Sequence, residues 1–593
     1  MSYRNYLSRH KVALAVSLTS AAALLVACGG SGDGALATTP LPQLTAATPS
    51  AFSGTCADLA PRISSQANTS ITAVTTVAAG SLTLASGTVS IEEHCRVQGS
   101  MFTRVSPVDG QTYAIGFEMR LPKNWNGRFF HQGNGGLDGN VGTAQGNIGG
   151  GVLTNALKQG FAVLSSDAGH NGAQNTNAMF GLDPQARADY GYAAVGKLTP
   201  MAKSVINAAY GKAPDRSYFG GCSNGGRHAM VAASRYPTDY DGYLAGAPGY
   251  NLPKAAVANI AGALLYASNI TTATVTSIAD LATAMTDTER KLVSNAVLAQ
   301  CDALDGAADG LIQDTNACQA AFDINRDVRT CTGARDGTCL TAGQKTTLAK
   351  VFSGPTTSSG ALIYSSFPWD SGYSGGSSAG AMSGVATWEF DAPFNRDASA
   401  VAMIFNTPPG TPAGFNGFNY VLGANIDTLT SGTTATSGVY TESAMSFMAP
   451  PNPTQLGTLK NRGAKIMAYH GVGDAIFSVN DTESWIKGLN TNNGGDASNF
   501  ARLFRVPGMG HCSGGPSTDQ FDMLTPLVAW VERGVTPDSI IATARGAGNA
   551  GGVNADVPAT WAANRTRPLC AYPKVARYKG SGSVEEAANF SCQ

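Results

Sequence analysis

The stretch YFGGCSNGGRHAM, residues 218–230, sets one serine among four glycines, with strand-forming residues before it and helix-forming residues after it. Gly221, Cys222, Ser223, Asn224 and Gly225 fit the G-x-S-x-G pattern of a nucleophile elbow. In that turn the chain reverses so sharply from strand to helix that a Cβ at either flank would clash. Ser223 then projects from the turn, with helix N-terminal amides behind it. Such a pattern arises easily by chance in a chain with 71 glycines. The strand before it and the helix after it are what give it weight.

A hydroxyl at neutral pH needs a base, and the base needs an orienting group. In chain order the acid follows the elbow and the histidine follows the acid. AKIMAYHGVGD, residues 464–474, reads as a strand ending in a loop with Asp474, and ARLFRVPGMGH, residues 501–511, as a strand ending at His511. Both lie where sites assemble in open α/β sheets. His470 is the rival base, better read as a strand-end packing residue. Asp481 is the rival acid, disfavoured by the G-x-G-D turn at Asp474. Cys222 precedes Ser223 and Cys512 follows His511, so a Ser–His hydrogen bond would carry the two cysteines into disulfide range.

Outward from the elbow, TYAIGFEMRLP (112–122) alternates like a strand, and GRFFHQGNGG (127–136) is a strand entering a glycine turn. NALKQGFAVLSSDAGH (155–170) reads as a helix end, a strand and a loop, and MAKSVINAAYG (201–211) as a helix with a glycine stop. This alternation predicts an α/β fold with a mostly parallel sheet. Between residues 251 and 455 the rhythm gives way to Ala/Thr-rich helical pieces and Gly/Ser/Thr/Pro-rich stretches. It resumes through the helix-like MLTPLVAWVERG, residues 523–534. The expected organisation is therefore a hydrolase sheet in two parts, 51–250 and 456–593, split by a lid over 251–455.

The chain has 593 residues, of which 43% are hydrophobic and 13% charged, the make-up of a globular protein. Its formal net charge of −1 gives no basic footprint for nucleic acid. Arg4, Arg9 and Lys11 precede an apolar run from Val12 to Val26, an export signal over 1–27. Leu25-Val26-Ala27-Cys28 resembles a bacterial lipobox, whose cysteine is lipidated; Gly29 after it then favours the outer membrane. The expectation is an exported chain, as an outer-membrane lipoprotein, periplasmic or secreted, touching membrane only through that lipid. Residues 28–50, small and Pro/Thr-rich, read as a tether. Ten further cysteines without a C-x-x-C pair point to disulfides rather than metal thiolates. Beside Cys222–Cys512, near neighbours pair as Cys56–Cys95, Cys301–Cys318, Cys331–Cys339 and Cys570–Cys592.

CDALDGAADGLIQD, residues 301–314, gathers Asp302, Asp305 and Asp309 among glycines with almost no basic residue nearby in sequence. Carboxylates crowded on a tight loop repel unless a cation neutralises them, and oxygen ligands suit Ca²⁺. A solvated acidic loop is the alternative.

GCSNGGR, CDALDGAADGLI, HGVGD and PGMGHCSGG together resemble the tannase/feruloyl esterase family of serine hydrolases, over about residues 52–592. The resemblance implies an α/β-hydrolase fold with a large lid, acting on esters of aromatic acids. It implies a triad of Ser223, Asp474 and His511, and an oxyanion hole from the N–H groups of Asn224 and Gly136. It implies a structural calcium ion held by Asp302, Asp305 and Asp309 with the carbonyls of Ala307 and Leu311. In ATWEFDAPFNRDASAVAMIFNTPPG (386–410), Trp388 is expected to line the pocket, and Arg396 is the arginine available to hold a substrate carboxylate. The insertion aromatics Trp369, Tyr373, Phe390 and Phe394 are expected to offer stacking surface as well. The expected partner is a small aromatic ester; feruloyl, galloyl and terephthaloyl monoesters all stay open as acyl groups. From another class, a calcium-stabilised surface-binding protein on a hydrolase scaffold is the alternative. Oligomeric state is not written in the sequence.

Overall fold

The alternation of outward and inward residues decides how the central strands are covered. Phe129, Phe219, Tyr243, Ala245, Ile466, Ala468 and Leu503 belong to one buried core, and their chain neighbours Phe130, Tyr218, Leu244, Met467 and Phe504 to another. A strand with both faces apolar must be covered on both sides, as parallel strands with crossover helices are.

The computed structural model describes residues 41–593 apart from 83–88, 151–154 and 376–383. Nine strands form the main sheet: β1 (Thr69–Val77), β2 (His94–Val105), β3 (Thr112–Pro122), β4 (Arg128–Gln132), β5 (Ala162–Ser166), β6 (Arg216–Cys222), β7 (Gly242–Gly246), β8 (Lys465–Gly471) and β9 (Ala501–Val506). Their order is β9-β8-β7-β6-β4-β5-β3-β2-β1. Strands β4 to β9 run parallel, while β1, β2 and β3 form an antiparallel flank. The sheet is thus mixed, and β2 and β3 are joined by a short turn over 106–111 rather than by a helix.

Helices α1 (Ala194–Tyr210), α2 (Asn224–Arg235), α3 (Val479–Asn492) and α4 (Leu524–Arg533) cover the sheet. Val205, Met230 and Trp485 close the first core, and Leu524, Leu527 and Trp530 the second. Both α1 and α4 stop at left-handed glycines, Gly211 (φ 74°) and Gly534 (φ 70°), where a side chain would be strained. Residues 155–160 form turns, not the helix end expected there, since Gly160 at φ 85° closes them onto β5.

Between β7 and β8 the described chain runs mainly through helices, from Leu252–Ala267 to Gly457–Asn461, most of them short. Their apolar faces make a third core, around Ile260, Val297, Phe390 and Ile404. Leu41–Gln593 is one compact unit with this insertion included. The five disulfides join the pairs named above.

The signal over 1–27 and residues 28–40 of the tether lie outside the described residues. Residues 41–50 are not a free tether. Ser50–Ala51 pairs with Asn124–Trp125, and Thr48 bonds Asp215 through its amide and hydroxyl, both at 2.8 Å. The Ala47 amide donates to Glu532 at 2.9 Å. Short polar residues that lack periodicity can still satisfy their backbones on a partner surface.

Glu532 is the hub of that surface. Its carboxylate receives both Arg128 Nε and Nη2 at 2.6 Å and the Tyr218 hydroxyl at 2.7 Å. Glu532→Ala leaves Arg128 without its partner. The expected cost is about 3 kcal/mol, at the low end for a buried pair because Arg128 is partly exposed. A melting temperature lower by a few degrees, with faster hydrogen exchange over residues 43–51, would bear this out.

Candidate active site

Four strand ends converge on one cleft. The loop Gly133–Gly136 follows β4, Ser223 follows β6, Asp474 follows β8 and His511 follows β9. The order reverses between β6 and β4, so the crevice opens beyond their carboxyl ends, where open α/β sheets bind ligands. Ser223, His511, Gly136, Trp388 and Arg396 all line it.

At the turn, Ser223 has φ 65° and ψ −126°, a conformation that costs a non-glycine residue about 1–3 kcal/mol. Backbone bonds hold it there: Ser223 N–H donates to Gly246 O at 2.9 Å, and its carbonyl accepts from Arg227 N–H at 3.0 Å. A Cβ on Gly221 or on Gly225 would lie under 3 Å from the Gly133 carbonyl oxygen. Both glycines of the pattern are therefore sites of backbone–backbone contact with the β4 loop.

Asp474 is buried, and its Oδ2 accepts from His511 Nδ1–H at 2.7 Å. Its Oδ1 accepts the amides of Ile476 (3.0 Å) and Phe477 (3.1 Å). Burial alone would raise its pKa, but His511 and His470 outweigh it and hold the carboxyl well below the usual range. The His511 ring lies against the edges of Trp388 at 4.9 Å and Phe477 at 5.3 Å. Its Nε2 is buried and has no partner among the described residues. No described residue hydrogen-bonds the Ser223 hydroxyl either, so imidazole and hydroxyl line one cleft without a hydrogen bond between them. The Cys222–Cys512 bridge, Cα to Cα 6.0 Å, joins the residues beside them.

His470 does more than fill a strand end. Its Nε2 sits 3.3 Å from Asp474 Oδ2 and 2.9 Å from Phe477 O, and its Nδ1 is 2.8 Å from the Thr482 hydroxyl. A histidine four residues before the acid, in HGVGD, was the available signal. Asp481 instead bonds Tyr250 and Asn251, away from His511.

Arg396 reaches the cleft, but its guanidinium pairs with Asp397 at 2.7 Å and lies 5.1 Å over the Trp388 ring. Among the insertion aromatics singled out in sequence, only Trp388 lines this cleft. Trp369 stacks on Phe352 at 3.7 Å, Phe390 packs on Tyr266 and Phe394 on Phe418. Tyr373 meets Tyr266 hydroxyl to hydroxyl at 3.2 Å. These four build the insertion's core, which needs large apolar side chains to hold short helices together.

In the acidic loop, Asp305 is buried and its pKa is pushed up to about 7, by desolvation first and then by the charges of Asp309 and Asp302. Asp302 accepts the amides of Asp309 (3.1 Å) and Gly310 (2.9 Å). The near absence of basic residues holds in sequence but not in space. Arg567 bonds the Asp309 carboxylate, and Arg565 bonds its carbonyl oxygen at 2.6 Å. Among the described residues no three acidic, histidine or cysteine side chains converge as a metal centre by themselves. Among the described residues no arginine or lysine is bonded to Asp302 or Asp305, and hard oxygen donors suit a calcium ion.

The profile for tannase and feruloyl esterase matches residues 95–593. The chain belongs to this family. It is 40% identical over 527 residues to the mono(2-hydroxyethyl) terephthalate hydrolase of Piscinibacter sakaiensis, covering 85% of each chain. It is 27% identical over 525 residues to a probable feruloyl esterase B-1 of Neosartorya fischeri, covering 86% of this chain and 87% of that one. The crystal structure of feruloyl esterase B from Aspergillus oryzae superposes with a TM-score of 0.68 at 26% identity, over 91% of this chain and 99% of that one. Like its relatives in the tannase and feruloyl esterase family, the protein is a carboxylic ester hydrolase with an α/β-hydrolase fold. Five disulfides fit an oxidising, extracellular setting, and no described helix is long and apolar enough to cross a membrane.

The contact at Gly225 gives a sharp expectation. Gly225→Ala drives a methyl group into the Gly133 backbone, so elbow and loop must part. Ester hydrolysis should fall by at least tenfold, with a lower melting temperature, measured on purified protein.

Proposed function

We propose that the protein hydrolyses esters of aromatic carboxylic acids of the feruloyl or galloyl kind, through an acyl-enzyme on Ser223. One observation carries the reading: the buried carboxylate of Asp474 orients His511, whose other nitrogen is unpartnered in the cleft that Ser223 enters from a strained turn. His511 Nε2 takes the Ser223 proton as Oγ bonds to the ester carbonyl carbon. The carbonyl π electrons move to oxygen, and the N–H groups of Asn224 and Gly136 receive that oxyanion. As the oxyanion collapses, the C–O bond to the alcohol breaks and His511 returns the proton to the leaving oxygen. Water then adds to the acyl carbon, giving its proton to His511, and the second collapse frees the acid and restores Ser223. Asp474 keeps the proton of the resting imidazole on Nδ1 and stabilises the imidazolium.

Trp388 supports a flat acyl group, since its ring lines the cleft beside His511. A terephthalate monoester is the second reading, favoured by the 40% identical relative and by Arg396 at the cleft. Arg396 is already paired with Asp397, which favours the neutral rings first. A calcium ion on Asp302, Asp305, Asp309 and the carbonyls of Ala307 and Leu311 would neutralise the acidic loop, a structural role. Export with a lipid on Cys28 completes the proposal.

Ser223→Ala should lower kcat by about 10⁴-fold or more while leaving the fold intact. Labelling of wild type but not of this variant by a fluorophosphonate separates an esterase from a binding protein on the same scaffold. On methyl ferulate, methyl gallate and mono(2-hydroxyethyl) terephthalate under one buffer, kcat/KM should be higher for the first two. A tenfold lead for the terephthalate monoester, about 1.4 kcal/mol of transition-state preference, would transfer the assignment to the second reading.

Chelation should lower the melting temperature more than it lowers kcat at 25 °C, because an ion that binds only the folded state stabilises it. Asp305→Ala should reproduce the chelated melting temperature and be indifferent to added Ca²⁺. An unchanged melting temperature on chelation would remove calcium from the proposal.

A further inference from the structure

Behind the elbow lies a buried polar ring that the hydrolytic steps above do not use. Asp138, in the left-handed region at φ 55°, ends the loop that follows β4. Its Oδ2 accepts from Asn224 Nδ2 at 2.8 Å and from His228 Nε2 at 2.9 Å. Those donors stand four residues apart on the first turns of α2, so they share a face. Asn224 Oδ1 accepts from Arg227 Nε at 2.7 Å, which fixes the amide with its NH₂ toward Asp138. Arg227 is fully buried and donates to the carbonyls of Gly191 (2.8 Å) and Tyr190 (3.0 Å). The Tyr190 hydroxyl returns to the Gly136 carbonyl at 3.2 Å. The ring closes on the loop where it began.

The four successive carbonyls of residues 134–137 in that loop are each held. Asn134 O receives Asn224 Nδ2 at 3.3 Å, Gly135 O the Asp138 amide at 3.2 Å, Gly136 O the Tyr190 hydroxyl, and Leu137 O His170 Nε2 at 2.8 Å. In a planar trans peptide the N–H points opposite to the C=O before it. Fixing the carbonyls of Asn134, Gly135 and Gly136 therefore fixes the N–H directions of Gly135, Gly136 and Leu137. None of these three amides has a protein acceptor among the described residues, and Gly135 and Gly136 line the Ser223 cleft.

We propose that Asp138 is a positioning residue for transition-state stabilisation: one carboxylate oxygen registers the free amides of the β4 loop against the residue that follows the nucleophile. This rests on Ser223 as the nucleophile. Preorganised donors stabilise a developing oxyanion only when they stand where the charge forms, and losing one such donor costs about 10²–10³ in kcat. Asp138 touches no substrate. Its removal displaces donors without deleting them, so the loss should be smaller.

The test compares Asp138→Ala and Asp138→Asn with wild type on a matched pair of substrates, a 4-nitrophenyl ester and its thiono analogue with C=S in place of C=O. Sulfur is the poorer acceptor, so the oxo-to-thiono rate ratio reads the amides and not general folding. For Asp138→Ala, kcat on the oxo ester should fall roughly tenfold to a hundredfold with KM within about twofold, and the ratio should fall with it. Asp138→Asn keeps one acceptor oxygen and should lie between. A kcat within twofold of wild type in both variants overturns the proposal, and so does a loss of kcat at an unchanged ratio or a loss confined to KM. Should Asp138→Ala fail to fold, Asp138→Asn decides by the same criteria. Activity surviving in Ser223→Ala would instead overturn the nucleophile assignment, so the two failures are told apart.

Discussion

Gly133, Gly221 and Gly225 bring two stretches of backbone together with no room for a side chain between them. The rest of the site is built on that contact. It fixes the height of the β4 loop relative to the elbow, so the amides after Gly133 and the hydroxyl of Ser223 enter one crevice. Van der Waals contact between backbones is short-ranged and stiff, which suits it to setting a distance. The strained φ of Ser223 persists because strand β6, helix α2 and this loop all over-determine the turn.

Buried charge does the complementary work of setting direction. Asp474 stays ionised against its burial because two imidazoles and two amides surround it. Glu532 does the same toward the amino ends of the central strands, drawing β4, β6 and the segment before residue 51 onto one carboxylate. In both places an acid that would be costly alone becomes a junction between elements distant in sequence. The acidic loop at Asp302–Asp309 is less complete: Arg565 and Arg567 answer Asp309, while among the described residues Asp302 and Asp305 are met by backbone amides.

Local features were legible in the sequence, and so was the Cys222–Cys512 pair, because its cysteines flank Ser223 and His511; most other long-range contacts were not. The strand over 112–122 follows from strict alternation, and the helix stops at Gly211 and Gly534 from a single residue each. The elbow is legible because its constraint acts within five residues. Asp474 and His511 were legible because both close a strand with a glycine turn. The role of His470 was missed although its spacing to Asp474 was visible, since nothing in one strand end says which way an imidazole turns. The arginines at Asp309 come from 256 and 258 residues away, beyond any window of spacing. The insertion aromatics were ambiguous for a related reason: short helices bury rings against each other or offer them to a ligand with the same composition. The segment 41–50 looks like a linker because its order comes entirely from the surface it lies on.

The bridge between Cys222 and Cys512 spans 290 residues, and that span contains the whole insertion. Covalently, the insertion lies inside a closed loop, together with β7, β8, β9 and the helices α2 and α3, and that loop is pinned beside the crevice. In a chain-entropy description, closing a loop of this length removes about 6 kcal/mol of freedom from the unfolded chain. Because that figure grows only with the logarithm of length, a longer or shorter lid changes this closure term little. A break anywhere in the lid would likewise leave the two halves of the sheet joined beside the serine and the histidine. The insertion in turn supplies Trp388 and Arg396 to the wall of the cleft whose floor the bridge fastens.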